Sequence, residues 1–250
     1  MTIRYEINPP KIIQGSNLSH EEITKLLDKV KHRVSEISAS CDGIHFTDSV
    51  LGIPRISPVT TGKLIRKLNS KIEITVSLRV RDKNLTLLSR LMEDTVSGGL
   101  DGVLILKGDA SQDGQKDSGL IPSQVVKHFN ELGYGKKLDL FLSLPSKPDF
   151  NKIHKKIEAE PAGFITQVIH SIDEVIRIVD KLKPCGFKII PCILLPSEKN
   201  KKSAKLLQLD WSEYKNSVED FIRKVHKIAG DVLVTSPNDF NSAKDILGKL

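Results

Sequence analysis

The fold prediction begins with the stretch Gly98-Gly-Leu-Asp-Gly-Val-Leu-Ile-Leu-Lys-Gly-Asp-Ala110, which joins an unbroken apolar strand to a polar loop. Val103 to Leu106 show no polar alternation, which is typical of a strand buried on both faces in a parallel sheet. Lys107, Gly108 and Asp109 follow at its carboxyl end. In β/α barrels and open α/β sheets that end binds ligands, because its loops vary without disturbing the packed strands. A simple Gly-Asp turn before a helix is the alternative interpretation.

The same unit, a short apolar strand followed by an amphipathic helix, recurs along the chain. Strands are predicted at Ile3–Ile7, Gly43–Asp48, Ile72–Leu78, Val103–Leu106, Leu138–Leu144, Gly163–Val168, Phe187–Leu195 and Asp231–Thr235. Helices are predicted after each of them, among them one that Ser19 and Glu22 cap at its start, and Asp149–Ala159, Tyr214–Ile228 and Asp239–Leu250. Polar loops are predicted over 110–119 and 196–202. Eight alternating units favour a closed barrel over a doubly wound sheet, so the sequence predicts one (β/α)8 TIM barrel domain over residues 1–250.

Composition limits the class of protein. Of the 250 residues, 39% are hydrophobic and 28% are charged, so the chain can bury a sizeable core and is not expected to be disordered. No apolar run approaches the about 18 residues that are needed to cross a bilayer, and the first residues lack the apolar region of a signal peptide. We therefore expect a cytoplasmic protein without a membrane partner.

The cysteines and the net charge narrow the possible ligands. Cys41, Cys185 and Cys192 have neither zinc-binding spacing nor a Cys-x-x-Cys motif, so we expect reduced thiols and no metal site. The net charge of +7 favours an anionic ligand, such as a phosphate-bearing or polyglutamyl compound. The densest lysine cluster, 199–205, has no aromatic neighbour on which a base could stack, so we expect no nucleic-acid partner.

Two further polar side chains lie near predicted strand ends. Glu6 lies between Tyr5 and Ile7 on an apolar strand, where a carboxylate is costly to desolvate unless it has a function there. A salt-bridged structural carboxylate explains Glu6 equally well. Gln167 can donate and accept hydrogen bonds to a heterocyclic ligand, or it can cap its strand.

Several of these strand ends carry motifs of a known family. Tyr5-Glu-Ile-Asn-Pro-Pro-Lys11 resembles the opening Phe-Glu-Phe-x-Pro-Pro-Lys motif of the methylenetetrahydrofolate reductase family, and Leu104-Ile-Leu-Lys-Gly-Asp109 resembles its Leu-Arg-Gly-Asp segment. Lys156-Ile-Glu-Ala159 and Phe164-Ile-Thr-Gln167 resemble its Lys-x-x-Ala and Ile-Thr-Gln segment without a gap. The resemblance covers most of the chain and is weakest beyond Pro196.

Two shorter motifs extend the resemblance. Phe46-Thr-Asp48 is similar to the segment whose threonine, here Thr47, approaches the flavin after the second strand. Arg81-Asp-Lys-Asn84 resembles the Arg-Asp-Arg-Asn segment of short family members. Five such motifs in the right order, each at a strand end, make a chance resemblance unlikely.

The resemblance implies reduction of 5,10-methylenetetrahydrofolate to 5-methyltetrahydrofolate in one-carbon metabolism and methionine biosynthesis, with FAD as cofactor and NAD(P)H as electron donor. Glu6 takes the place of the catalytic glutamate. In an apolar strand its pKa would rise, which suits a general acid that protonates the nitrogen of the ring to be opened. Asp109 and Gln167 take the places of the substrate-binding residues, and Asp109 would also influence the flavin.

The remaining residues that the resemblance implies would bind FAD. These cofactor-binding residues are Thr47, Lys107, Gly108, Asp109, Asp149 and Lys156, and Lys156 would contact a flavin phosphate. A homo-oligomer or a partner subunit is also compatible with the family.

Three residues differ from the family pattern. Ser77 stands where the family has histidine, Leu144 precedes Pro145 where it has tyrosine, and Cys192 replaces a glycine. These differences keep a flavin-free pterin-binding barrel open as an alternative, either a methyl-transferring enzyme or a non-catalytic partner subunit. A basic nucleic-acid binder is a more distant alternative. An absorption spectrum distinguishes a flavoprotein from these alternatives.

Overall fold

The computed structural model describes residues 2–12, 17–110 and 116–250. Its strands are β1 Thr2–Ile7, β2 Gly43–Phe46, β3 Glu73–Arg79, β4 Gly102–Leu106, β5 Asp139–Leu144, β6 Gly163–Val168, β7 Lys188–Leu194 and β8 Asp231–Thr235. They form a closed parallel barrel in which each strand pairs with the next one in the chain, and β8 pairs with β1. The predicted (β/α)8 barrel is therefore confirmed.

Helices follow the strands and cover the outside of the barrel. Their bounds are α1 His20–Ile37, α2 Pro58–Leu68, α3 Leu85–Ser97, α4 Pro122–Glu131, α5 His154–Ile157, α6 Ile172–Leu182, α7 Lys201–Leu206, α8 Val218–Ala229 and α9 Phe240–Leu247. The predicted cap of α1 is present, since the Ser19 hydroxyl accepts the Glu22 N–H and the Glu22 carboxylate accepts the Ser19 N–H. Within the described ranges, no helix is long and apolar enough to cross a membrane.

The helix count and two helix bounds differ from the prediction. The described part of the chain holds nine α-helices instead of eight, because the polar stretch after β7 forms α7 in addition to a loop. The predicted helix Asp149–Ala159 is reduced to α5, because the Asp149 side chain caps a separate 3-10 turn at Phe150–Lys152. Residues 111–115 of the predicted loop 110–119 lie outside the described residues.

The start of α8 is also later than predicted. Tyr214 lies in a turn before the helix, where its hydroxyl donates to the carbonyl of Leu194 at the end of β7. This contact holds Tyr214 against the barrel, and α8 begins only at Val218.

The lumen of the barrel has two chemically different sides. An apolar cluster from β4 to β8 fills one side and consists of Leu104, Phe141, Ile165, Ile190, Cys192 and Leu233. On β1 to β3, apolar residues that face outward alternate with polar residues that face the lumen. We call four of these lumen-facing residues the polar flank, namely Glu6, His45, Thr75 and Ser77. The ligand end of this barrel therefore opens over an interior that can bind both apolar and hydrogen-bonding groups.

An ion cluster closes the opposite end of the lumen. The Arg4 guanidinium donates to both carboxylate oxygens of Glu73 at 2.8 Å and also pairs with Asp231. Burial raises the pKa of Asp231 to about 6, although the charge of Arg4 acts in the other direction. This cluster lies at the amino ends of the strands. Active sites of TIM barrels lie at the opposite ends, so we expect the cluster to contribute to stability.

Candidate active site

Glu6 lies at the carboxyl end of β1, on the lumen side of the barrel wall. The hydroxyl of Thr235 on β8 donates a hydrogen bond of 2.7 Å to its carboxyl group. Burial raises the pKa of Glu6, and the hydrogen bond from Thr235 offsets only part of this shift. The carboxyl group can therefore hold a proton at higher pH than an exposed glutamate, as a general acid requires.

His45, the residue paired with Glu6 in the β1–β2 register, extends the polar flank. Its Nδ1 lies 2.8 Å from Thr75 Oγ1, and its Nε2 lies 2.8 Å from Ser77 Oγ. Burial, assisted by the positive charge of Arg4, lowers the pKa of His45 to about 3. The imidazole is therefore neutral and fixes the hydroxyl of Ser77, the residue that replaces the histidine of the family pattern.

Thr47 lies just beyond the end of β2 and is buried. Its hydroxyl donates to Oδ1 of Asn8 at 2.6 Å, and its backbone N–H donates to the carbonyl of Ile7. These bonds join the loops that follow β1 and β2. Thr47 thus lies near the strand end that carries Glu6, and its hydroxyl already has a partner within the chain.

Asp109 is exposed in the loop after β4 and contacts the loop after β2. Its carboxylate accepts the backbone N–H of Leu51 at 2.8 Å. The buried guanidinium of Arg79 lies beneath both loops, where it donates to the Asp82 carboxylate at 2.7 and 3.0 Å and to the carbonyls of Ser49 and Asp109 at 3.4 Å. Arg79 therefore holds Asp109 at the ligand end of the barrel.

Gly108 occupies a position that other residues do not fit. Its φ is +82°, and a Cβ there would lie 2.7 Å from Cβ of Arg79. The carbonyl of Gly108 also accepts a hydrogen bond of 3.0 Å from Arg81. Glycine thus allows the loop after β4 to lie directly on β3, which explains the Gly-Asp pair without reference to a ligand.

Lys107 points into the same loop and has protein partners. Its ammonium donates to the Asp117 carboxylate at 2.5 Å and to the carbonyl of Leu120 at 3.2 Å. The ion pair fixes the described part of the loop between β4 and α4. Contact between Lys107 and a flavin remains a prediction that would require this pair to open.

Lys156 and Asp149 follow β5 and have different surroundings. The Lys156 ammonium donates to the carbonyl of Ser143 on β5, and burial lowers its pKa. Asp149 is exposed, pairs with Lys152 at 3.2 Å, and lines a groove of about 700 Å³ together with Arg177. Of these two predicted residues, only Lys156 makes a side-chain hydrogen bond to a described residue of a barrel strand.

Gln167 lies at the carboxyl end of β6, where the pairing with β7 shifts register between Ile165 and Val168. It is exposed, although Thr166 before it is buried and Val168 after it is half-buried, and its side chain makes no hydrogen bond to another described residue. The free amide is thus available to a ligand, as the sequence predicts for a residue that binds a heterocycle.

The carboxyl ends of the strands bring Glu6, Thr47, Lys107–Asp109 and Gln167 to one end of the barrel. No hydrogen bond between described residues joins two of the predicted site residues, so each is positioned by other parts of the chain. Residue patterns alone missed these supporting side chains, which are Thr235, His45, Asn8 and Arg79. His45 could have been identified from the sequence, because it is a polar residue in an apolar strand. Thr235, Asn8 and Arg79 could be identified only once the register of the strands is known.

Three solved enzymes have folds similar to this chain but share little sequence identity with it. EDTA monooxygenase from Chelativorans sp. BNC1 aligns with a TM-score of 0.68 and 8% identity over 99% of this chain and 92% of its own. A riboflavin lyase with modified FMN and riboflavin aligns with a TM-score of 0.65 and 10% identity, over 98% of this chain and 89% of its own. The chitinase ChiB from Flavobacterium johnsoniae aligns with a TM-score of 0.56 and 13% identity, over 99% of this chain and 93% of its own. At this identity the matches show the barrel fold alone.

Sequence comparison gives more specific information than the fold. Comparison with curated proteins found no match. The family model described as methylenetetrahydrofolate reductase matches residues 1–227, which include Glu6, Asp109 and Gln167. The match covers β1 to β7 and most of α8, so the chain belongs to the methylenetetrahydrofolate reductase family.

Proposed function

We propose that this protein reduces 5,10-methylenetetrahydrofolate to 5-methyltetrahydrofolate, with FAD as cofactor and NAD(P)H as electron donor, on one catalytic domain in the cytoplasm. The observation that carries the proposal is the Glu6 carboxyl group, whose pKa is raised by burial at the ligand end of a barrel of this family. A structural carboxylate in this position would be expected to have a cationic partner. Among the described residues, the hydrogen-bond partner of the Glu6 side chain is instead the neutral hydroxyl of Thr235.

Glu6 would act as the general acid. Opening the imidazolidine ring of the substrate requires a proton on the departing nitrogen, and a desolvated carboxylic acid with a raised pKa holds such a proton to higher pH than an exposed one. Asp109 is exposed and accepts a backbone N–H, and its carboxylate would stabilise the positive charge that develops on the substrate. Gln167 would bind the edge of the pterin through its free amide.

Lys156 supports the proposal of an anionic cofactor. Its half-buried ammonium contacts a carbonyl and forms no ion pair with another described residue. A desolvated cation without a counter-ion is unfavourable, and a phosphate group of FAD would supply that counter-ion. Thr47, Lys107, Gly108, Asp109 and Asp149 are the further residues proposed to bind FAD, which supplies hydride chemistry when bound.

We expect the purified protein to bind FAD and to melt at higher temperature in its presence, because a ligand of the native state must stabilise it. Titration with FAD, followed by flavin fluorescence and by the melting temperature, measures this binding. Lys156→Gln should weaken binding, whereas Lys155→Gln, which removes a neighbouring exposed lysine that forms no ion pair with another described residue, should not. Pterin binding without any flavin uptake by the parent protein would favour the flavin-free alternative.

Asp109→Asn is expected to slow the half-reaction with methylenetetrahydrofolate by about tenfold more than the half-reaction with NAD(P)H. Only the folate half-reaction develops a cation near this carboxylate, and the exposed position limits the size of the effect. The asparagine oxygen can still accept the Leu51 N–H, so the loop should keep its conformation. Stopped-flow measurement of each half-reaction provides the comparison, and equal losses in both would contradict the proposed role.

A further inference from the structure

We propose that the hydroxyl of Ser77 is a hydrogen-bond donor to the ligand, and that His45 and Thr75 are positioning residues that set the direction in which it donates. The inference rests on the proposed function, because it adds a contact to the heterocyclic ring of the cofactor or the substrate. The ring would supply the acceptor, which is a carbonyl oxygen or an unprotonated ring nitrogen. Flavins and pterins both carry such acceptors.

Thr75, His45 and Ser77 form a chain of hydrogen bonds inside the barrel. The imidazole contacts Thr75 Oγ1 through Nδ1 and Ser77 Oγ through Nε2, each at 2.8 Å. Neither hydroxyl makes another side-chain hydrogen bond to a described residue. Thr75 pairs with His45 in the β2–β3 register, and Ser77 follows two residues later on β3. The chain therefore runs from the middle of the lumen toward the carboxyl ends of the strands, with Ser77 as the member nearest to the ligand.

The hydrogens of this chain can point in either of two directions. Because the pKa of His45 is lowered to about 3, the imidazole has one N–H donor and one acceptor nitrogen at neutral pH. With the hydrogen on Nε2, His45 donates to Ser77 and accepts from Thr75, so the Ser77 O–H is free to donate to a ligand. With the hydrogen on Nδ1, Ser77 donates to His45 instead, and the Thr75 O–H needs a different acceptor. The tautomer thus decides what Ser77 offers to a ligand.

The charge of Arg4 favours the hydrogen on Nε2. Arg4 lies on the amino-end side of the chain, since a Cβ on Gly43, two residues before His45, would be 3.1 Å from Arg4 Cγ. Its guanidinium donates to Glu73, two residues before Thr75. Its positive charge helps to lower the pKa of His45, so its field reaches the imidazole. A cation attracts the lone pairs of the Thr75 hydroxyl and repels its hydrogen, which therefore points toward Nδ1.

The opposite direction would leave a buried donor without an acceptor. Both oxygens of Glu73 accept hydrogen bonds from Arg4, and neither bonds to Thr75. Thr75 is 1% exposed, so water does not readily replace the missing acceptor, and an unsatisfied buried donor is unfavourable. With Nε2 protonated, the donors of Thr75 and His45 both have acceptors within the chain. The hydrogen that remains free is on Ser77, which is 4% exposed and lies nearer to the ligand.

The first test measures the tautomer without any ligand. Two-bond ¹H–¹⁵N correlation spectra of the protein labelled with ¹⁵N-histidine distinguish a protonated Nε2 from a protonated Nδ1. The signals of His45 are identified by their absence from His45→Gln and by their constancy down to pH 5, since its pKa is about 3. We expect the Nε2–H tautomer at neutral pH. A predominant Nδ1–H tautomer would overturn the inference.

The second test asks which ring accepts the hydrogen bond, by isothermal titration of the purified protein with FAD and, separately, with folic acid. Ser77→Ala should weaken binding of the probe that contacts Ser77 by about 3- to 10-fold, the usual size for one neutral hydrogen bond. A loss for FAD assigns the contact to the flavin, and a loss for folic acid assigns it to the pterin. Ser77→Thr keeps a hydroxyl at this position and should restore the affinity.

The matched control is Thr95→Val, which removes a buried hydroxyl from α3, on the outside of the barrel. It should bind both probes as the parent does. Unchanged affinity of Ser77→Ala for both probes would overturn the role of Ser77 alone. Failure of the parent to bind either probe would overturn the proposed function and the ligand contact together, and the tautomer would still decide the direction of the chain.

Discussion

Glu6→Gln is expected to slow reduction of methylenetetrahydrofolate by about 10²- to 10⁴-fold, the usual contribution of a general acid. Glutamine keeps the shape of the side chain and can still accept the hydrogen bond from Thr235, but it cannot donate the proton that ring opening requires. FAD binding and reduction by NAD(P)H should be almost unchanged, because neither requires this proton. Single-turnover kinetics with methylenetetrahydrofolate measures the loss directly.

Thr235→Val tests the assignment of Glu6 as the general acid through the pH dependence of the reaction rate. A general acid is active when protonated, so the rate should fall as the pH rises through the pKa of Glu6. The hydrogen bond from Thr235 lowers that pKa, and its removal should move the fall in rate to higher pH while activity at low pH is kept. Parent-like turnover by Glu6→Gln would show that Glu6 is a structural carboxylate.

The second large effect is expected on stability. Arg4→Met should lower the free energy of unfolding by about 3 to 5 kcal/mol at neutral pH, because it leaves Glu73 and Asp231 in the lumen without their cation. Urea unfolding, followed by circular dichroism, measures the change. Arg223→Met provides the comparison, since Arg223 forms an exposed pair with Asp220 and its loss should cost about 1 kcal/mol or less.

The pH dependence of this loss has a defined sign. The pKa of Asp231 rises from 3.8 to about 6 on folding, so the native state holds this proton to higher pH than the unfolded chain. The contribution of Asp231 to stability therefore falls as the pH rises from about 4 to about 6. Removal of Arg4 raises this pKa further, so Arg4→Met should be more harmful at pH 8 than at pH 5. A loss of stability that is equal at both values would argue against this ion cluster.

Much of the fold could be predicted because its signals are local. Buried strands such as Val103–Leu106 are continuous apolar runs, and Ser19 with Glu22 marks a helix start within four residues. The prediction was wrong where a contact between residues that are far apart in the sequence determines the local structure. Tyr214 stays outside α8 because its hydroxyl donates to Leu194 on β7, a contact that no nearby residue indicates.

The positions of the candidate site residues at the strand ends were predictable, but their supporting contacts were not. Family motifs located Glu6, Asp109 and Gln167, and the position of each at a strand end followed from the alternating pattern. Thr235 is 229 residues from Glu6 and lies beyond the part of the chain that the family model matches. Its role follows from closure of the barrel, because only the pairing of β8 with β1 brings the two side chains together.

The pairing of β1 with β8 connects the proposed role of Glu6 with the order in which the strands are synthesised. The ribosome synthesises β8 last of the eight strands, so neither the Thr235 contact to Glu6 nor the Asp231 contact to Arg4 can form before the chain has been made through β8. An open barrel lacks the β8 wall beside Glu6, so water can reach the carboxyl group, and the rise of its pKa that burial causes would be smaller. The proposed acid therefore reaches its fully raised pKa only when the ring of strands closes.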